Sequence, residues 1–216
     1  MIHHPNKGHI EKEYLDSGNK YLLGIDEVGR GCIAGPIYAA SVILDYEKLF
    51  QLPTKELHLI RDSKKLSTLQ RRRIVPVIKE VSLEYHVCSS TVREIEELGI
   101  VGANFRAMRR SIRKLNYKPC VVLLDGNSKI PRYGGRQVAI VGGDSLCYCI
   151  SAASILAKEA RDDYMKEKAS EYPYYNLASN VGYGTKEHLD GIDVHGICPL
   201  HRRNFAPISN YIEVHS

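Results

Sequence analysis

Four acidic residues stand where a chain of this kind could do chemistry: the adjacent pair Asp26 and Glu27, then Asp125, then Asp144. Asp26 and Asp125 close the apolar runs Tyr21-Leu22-Leu23-Gly24-Ile25 and Val121-Val122-Leu123-Leu124, and Asp144 follows a short run, Val138 to Val141, after two glycines. In open α/β sheets, functional groups gather beyond the carboxyl ends of the strands. If these strands adjoin, the four carboxylates share one small volume and raise one another's pKa. A hard divalent cation resolves that conflict, and an all-oxygen donor set favours Mg²⁺ or Mn²⁺ over zinc. Each acid also has a plainer use: Asp144 as a helix N-cap, Asp125-Gly126 as a turn, Asp26-Glu27 as a solvated strand end. The case for a metal site lies in the combination.

Gly29-Arg30-Gly31 follows the first acids directly, and Gly35-Pro36 comes soon after. Glycines allow a backbone to touch a ligand closely, and an Arg between two of them would set a fork of donors beside the acids. A tight turn into the next strand is the alternative. The longer dinucleotide fingerprint and the helix that should follow it are missing, as is a phosphate-cradling glycine–lysine loop.

The elements that must position these residues alternate between strand and helix. Beyond the strands already named, Ile37 to Leu44 reads as a strand, and Val81 to Val87 alternates apolar and polar residues as a half-buried one. Ser67-x-x-Gln70 and Thr91-x-x-Glu94 have capping-box spacing and should open helices. Pro76 should kink or shorten the first, and Gly99 should stop the second. Phe105, Met108, Ile112 and Leu115 then form the apolar stripe of the next helix. A long helix runs from near Asp144 to about Lys168, packing through Leu146, Ile150, Ala153, Ala157 and Ala160. Residues 45–65 and 172–180 read as irregular, Thr185 to about Val194 as a short helix, and the tail from Gly196 as mostly irregular. The expected organisation is a loosely held arm (1–20), an α/β core with a mixed sheet flanked by helices (21–170), and a small C-terminal helical extension (171–216).

The chain has 216 residues, enough for one sizeable core, with 30 Lys plus Arg against 25 Asp plus Glu, a formal +5. That mild excess permits a polyanionic partner. Basic residues cluster at Lys64-Lys65, Arg71-Arg72-Arg73, Arg106, Arg109-Arg110, Arg113-Lys114 and Arg202-Arg203, either as solvated faces or as phosphate contacts. The six Cys show no zinc-ligand spacing and are expected to be reduced, hence an intracellular, cytoplasmic protein. Residues 1–20 are too polar for a signal peptide, and the longest apolar stretch, Leu146 to Ala157, is too short to span a bilayer. From the residues alone, a metal-dependent nuclease or phosphatase and a non-catalytic nucleic-acid-binding module both stay open. Only the first explains acids that would otherwise repel phosphate.

A set of blocks resembles the type 2 ribonuclease H family, ribonuclease HII, in the family's order. They are GIDEVGRGCIAGP (24–36), DSKKLS (62–67), LLDGN (123–127), GGDS (142–145), SAASILAKEARD (151–162), GYGTKEH (182–188) and HRRNF (201–205). The resemblance covers roughly residues 20–207 and implies a ribonuclease H-like fold with a C-terminal helical extension. It also implies an endonuclease that cuts the RNA strand of RNA–DNA hybrids and cuts 5′ to ribonucleotides in duplex DNA, by two-metal hydrolysis leaving 3′-hydroxyl and 5′-phosphate ends. The implied metal ligands are Asp26, Glu27, Asp125 and Asp144, holding Mn²⁺ or Mg²⁺. Gly29, Arg30 and Gly31 would read the 2′-hydroxyl, Tyr183 would sense the junction with DNA, and Lys64 would grip a phosphate. A monomer acting on hybrid or ribonucleotide-containing duplex, without a membrane, is expected. The sister family, ribonuclease HIII, ends its acidic set with Glu and carries a long N-terminal extension; here the fourth acid is Asp144 and about 20 residues precede the first strand. Val181, where a Lys is common, and Asn204, where Ser is frequent, depart from the pattern without touching the acids.

Overall fold

The computed structural model describes residues 7–215. Its centre is a five-stranded mixed sheet: β1 (Leu22–Val28), β2 (Ile37–Leu44), β3 (Ser82–Ser90), β4 (Val121–Asp125) and β5 (Gln137–Ile140), in the order β3-β2-β1-β4-β5. β1, β2 and β3 pair antiparallel, while β4 and β5 run parallel to β1. The sequence order explains this. A short Gly-rich turn returns β1 to β2, whereas helices cross over to β4.

Strand periodicity divides the core. Leu22, Ala40, Val42, Leu44 and Leu123 face one side, where α4 (Thr68–Glu80) and α7 (Tyr148–Glu171) cover them with Ile74, Ile78, Ile150 and Ala153. Their neighbours Leu23, Ile25, Ile37, Ala39, Val122 and Leu124 face α5 (Val92–Arg113), which supplies Ala103, Ala107 and Met108. β4 is apolar on both faces because both are covered. A third cluster joins Ile33, Ala34 and Met165 to Tyr175, Ile192, Leu200 and Ile208 from the C-terminal segment.

Both capping boxes form, at Ser67/Gln70 and Thr91/Glu94, and Gly99 breaks α5 with φ 69°, as its composition suggested. Several expectations fail for identifiable reasons. Pro76 lies inside α4, which continues four residues to Glu80 because Ile74 and Ile78 are buried on either side of it. Residues 45–65 hold short helices α2 (Tyr46–Gln51) and α3 (Thr54–Leu57) and a 3₁₀ turn, Ser63–Lys65. The long helix is interrupted at Cys147 (φ −118°), leaving a separate turn, α6 (Gly143–Leu146). Residues 172–180 contain a 3₁₀ turn (Pro173–Tyr175) and α8 (Leu177–Asn180); α9 (Lys186–His195) is as expected, and the tail ends in α10 (Ile208–His215), anchored by buried Ile208. The N-terminal segment is not loosely held from residue 7 onward. α1 (His9–Asp16) buries Glu11, whose carboxylate accepts from Tyr46 Oη and the Cys149 N–H at 2.9 Å each. Residues 1–6 lie outside the described residues.

One contact sets how closely helix and sheet meet. A Cβ on Gly24 would lie 2.2 Å from the Cys149 carbonyl carbon, so α7 rests on the bare backbone of β1. Gly24→Ala must push α7 off the strand and should cost roughly 3 kcal/mol or more, read as a lowered urea midpoint.

Candidate active site

The sheet register assembles the acids. Ile25 of β1 pairs with Leu124 of β4, so Asp26 and Asp125 are the next residues along two adjacent parallel strands. Asp125 pairs in turn with Ile140 at the end of β5, after which Gly142 and Gly143 lead into α6 and Asp144. The Asp144 N–H points at Asp125 Oδ1 across 3.4 Å. Asp26 is not the end of its strand, since β1 runs two residues further to Val28.

Strand alternation turns Asp26 and Glu27 to opposite sides. Asp26, 5% exposed, accepts the Glu27 N–H at 2.7 Å and a hydrogen bond from Ser154 of α7, whose hydroxyl also meets Ser63 Oγ at 2.9 Å. Glu27 instead takes Arg30 Nη1 at 3.0 Å and a hydrogen bond from buried Asn104 of α5. Asp144 is hydrogen-bonded to Asp62, a carboxylate that precedes Lys64. The structure thus gathers Asp26, Asp125 and Asp144 around Lys64, places Glu27 beside them but turned toward Arg30, and adds Asp62.

The electrostatics follow from that crowding. Burial, then the charges of Glu27 and Asp125, raises the Asp26 carboxyl well above the usual range. Burial raises Glu27 more than Arg30 and Asn104 lower it. Asp144 is pushed up to about 6 by burial and by Asp62 and Asp125. Burial alone would pull Lys64 down, but Asp144, Asp26, Asp62 and Asp125 together hold its ammonium above the ordinary value. Among the described residues, no three Asp, Glu, His or Cys side chains already stand in ligating geometry. The carboxylates are turned to protein partners: a backbone N–H, a serine, Arg30 and each other. The donor set is nevertheless all oxygen and crowded, with Asp26, Glu27 and Asp144 reluctant to ionise, which is the chemistry that suits a hard divalent ion.

The Gly29-Arg30-Gly31 loop is held from behind by a cation. Arg202, completely buried, donates to Gly29 O (2.7 Å), Arg30 O (3.0 Å) and Gly35 O (2.9 Å). Arg161 of α7, also fully buried, packs under Gly29, where a Cβ would lie 2.2 Å from Nε and φ is +93°. It donates to Pro36 O, Val181 O and Ala34 O. The Arg30 side chain stays largely open to solvent. Tyr183, 45% exposed, stands on the turn before α9, hydrogen-bonded to Cys32 and close enough to Lys64 to sense its charge.

Sequence reasoning missed Asp62, Asn104, Ser154, Arg161 and Arg202. Asp62 opens the block DSKKLS, but it is spaced like a simple cap and does cap the Lys64 N–H at 2.9 Å, so its spacing did not mark it as a neighbour of the acids. The basic clusters need a correction too. Arg202 faces carbonyls rather than phosphate. Arg71 is buried against Glu159 (2.6 Å) and Asp162 (3.3 Å), and Arg110 is paired with Glu94 at 2.6 Å. Arg72, Arg73 and Arg203 remain exposed. Val181 adopts φ +44° and packs on the C-terminal apolar cluster, and Asn204 Nδ2 reaches Glu96 O at 3.4 Å.

A mixed sheet with helices on both faces and carboxylates on adjoining parallel strands is the arrangement of a ribonuclease H-like hydrolase. The family model for ribonuclease HII matches residues 23–208, and the chain belongs to that family, whose members are endonucleases of RNA–DNA hybrids. It is 41% identical over 203 residues to the ribonuclease HII of Endomicrobium trichonymphae, covering 94% of this chain and 93% of that protein. Among solved structures it resembles the ribonuclease H2 from Pyrococcus horikoshii OT3 (TM-score 0.75, 21% identity, 90% and 98% of the two chains). It also resembles Bst-RNase HIII in complex with Mn²⁺ (TM-score 0.66, 18% identity, 91% and 70%). The family depends on divalent metal.

The raised Asp144 carboxyl has a consequence for stability without metal. Between about pH 4 and about 6 the folded protein holds a proton that the unfolded chain has begun to release, so stability falls as pH rises through that window. Asp144→Asn should remove that part of the slope. In EDTA at pH 8 it should leave the protein more stable than wild type by about 1 kcal/mol, solvent at the rim screening the repulsion. Urea titrations at several pH values check both.

Proposed function

We propose that this hydrolase cuts the RNA strand of hybrids and also nicks duplex DNA on the 5′ side of an embedded ribonucleotide, leaving 3′-hydroxyl and 5′-phosphate ends. The observation that carries the reading is the convergence of Asp26, Asp125 and Asp144, from β1, β4 and α6, beside the Arg202-clamped glycine loop. Acids repel phosphate unless cations lie between them, so a site of this composition next to donors for a nucleic-acid backbone calls for metal.

Asp26, Glu27, Asp125 and Asp144 would hold Mn²⁺ or Mg²⁺, with Arg30 released from Glu27 toward substrate. Bound divalent ions would supply an activated water and neutralise charge on the departing 3′ oxygen in an in-line displacement. The chain's own residues do the rest. Gly29, Arg30 and Gly31 lie on a backbone held rigid by Arg202, placing donors where a 2′-hydroxyl distinguishes RNA from DNA. Lys64 takes a phosphate near the acids, and exposed Tyr183 stacks on the sugar at the junction. Six unpaired cysteines, three of them fully buried, suit a reducing cytoplasm, and no described helix is long and apolar enough to cross a membrane.

A DNA duplex with one ribonucleotide should be cut at its 5′ side with Mg²⁺ or Mn²⁺ and left intact in EDTA; cutting of an all-DNA duplex at a similar rate would exclude the proposal. Asp125→Asn should lower turnover roughly 10³-fold while the circular dichroism stays native. If several phosphates are contacted, affinity for hybrid should fall by roughly a decade or more across moderate salt, and a flat response in filter binding would remove the exposed cations from the interface.

A further inference from the structure

Two buried histidines near the C-terminus are not used by the chemistry above. His188 of α9 and His201, in the loop before α10, meet with Nε2 atoms 3.0 Å apart. Two like nitrogens can be that close only if exactly one carries a proton between them. The flanking contacts say which one does. The Cys198 N–H donates to His201 Nδ1 at 2.8 Å, nearer than the Cys198 carbonyl at 3.3 Å, so His201 Nδ1 is bare. Its proton must then sit on Nε2 and be donated to His188. His188 Nε2 is therefore the acceptor, and its own proton sits on Nδ1, which meets the Tyr183 carbonyl at 2.8 Å. The result is a directed chain of three hydrogen bonds from the Cys198 amide to the backbone of Tyr183, and it works only with both rings neutral.

The surroundings maintain that state. His188 and His201 are buried, and the Tyr175 ring packs against both, at centroid distances of 5.9 and 4.8 Å. Burial, and for His201 the neighbouring ring, disfavours the imidazolium in each. The chain ends on a turn fastened at several other points. Tyr183 N–H donates to Asn180 O, and Gly182 O accepts from the Ile33 and Ala34 N–H groups at 3.0 and 3.2 Å. Val181 O takes Arg161, and His201 forms a bridge with Ala34. Ile33 and Ala34 follow the glycine loop after one residue, Cys32. The Tyr183 carbonyl, which also accepts the Thr185 N–H at 2.9 Å, is thus the point at which the histidine pair meets the turn that faces the site.

We propose that His188 and His201 are positioning residues: as a neutral, directionally ordered pair they set the Tyr183 turn against the glycine loop and so tune cleavage at single embedded ribonucleotides. The proposal rests on the reading of Tyr183 as the junction contact. It does not place either ring on substrate.

Asn and Leu at position 188 separate positioning from packing. Asn carries an amide N–H where histidine has Nδ1, so His188→Asn keeps the bond to the Tyr183 carbonyl; His188→Leu fills the space and loses it. On the full chain with Mg²⁺, His188→Leu should lower kcat/KM for a single-ribonucleotide duplex roughly tenfold, and His188→Asn, which keeps the Tyr183 bond but removes the acceptor for His201 Nε2–H, should recover most of that loss without reaching wild type. With Tyr183→Ala already present, His188→Leu should add little, because the ring it positions is gone. If the two effects multiply, or if Leu and Asn behave alike, the positioning role is wrong while the Tyr183 reading stands. Full activity of Tyr183→Ala on that duplex would sink the Tyr183 reading and the positioning role with it. The wild-type protein offers a check that no variant can obscure: ¹⁵N NMR at pH 7 should show the proton on Nδ1 of His188 and on Nε2 of His201. A cationic ring, or the opposite tautomers, would overturn the proposal outright.

Discussion

Negative charge crowded on two adjoining parallel strands is the constraint around which this molecule is arranged. Asp26 and Asp125 are neighbours by register, so the sheet itself keeps their backbones side by side. The fold tolerates the crowding in three ways. Some carboxyls hold protons longer than usual, Lys64 and Arg30 lend positive charge, and Ser154 and backbone N–H groups solvate the oxygens. On the proposed reading, a bound divalent ion would take over the work of all three.

Rigidity behind the acids comes from buried cations as much as from apolar packing. A guanidinium removed from water costs several kcal/mol unless its N–H groups are satisfied. Arg202 and Arg161 satisfy theirs mainly on carbonyls of residues 29–36, the segment joining β1 to β2. Burial pushes Arg202 down to about 10, which still leaves it charged near neutral pH. Because several carbonyls converge on each planar fork, the loop has one arrangement that leaves no donor stranded. The same logic continues through Val181 and the His188–His201 pair to the far side of the site, so that Arg30 and Tyr183 belong to one hydrogen-bonded frame.

Local signals were legible where the chemistry is local. The Ser67/Gln70 and Thr91/Glu94 boxes need only a four-residue spacing, and the positive φ of Gly99 is a property glycine carries anywhere. The apolar run before Asp125 announces a strand covered on both faces. Signals failed where burial by distant segments overrode them. Pro76 did not end its helix because flanking Ile residues hold the turn to the sheet. α1 reads as a polar arm until Glu11 finds Tyr46 and the Cys149 amide, and the basic look of Arg71 and Arg202 gave no hint that both lie inside.

The amino-acid order by itself determined the alternating α/β pattern, the four acids worth suspecting, the glycine–arginine–glycine turn and, through its blocks, the family. Those follow from side-chain type and short-range spacing. Only the tertiary structure decided which acids face one another, that Asp62 joins them, that Glu27 turns toward Asn104, and which arginines hold the loop instead of a phosphate. These depend on strand register and on helices laid across the sheet, and contacts between residues a hundred or more positions apart leave no periodicity in the chain to read.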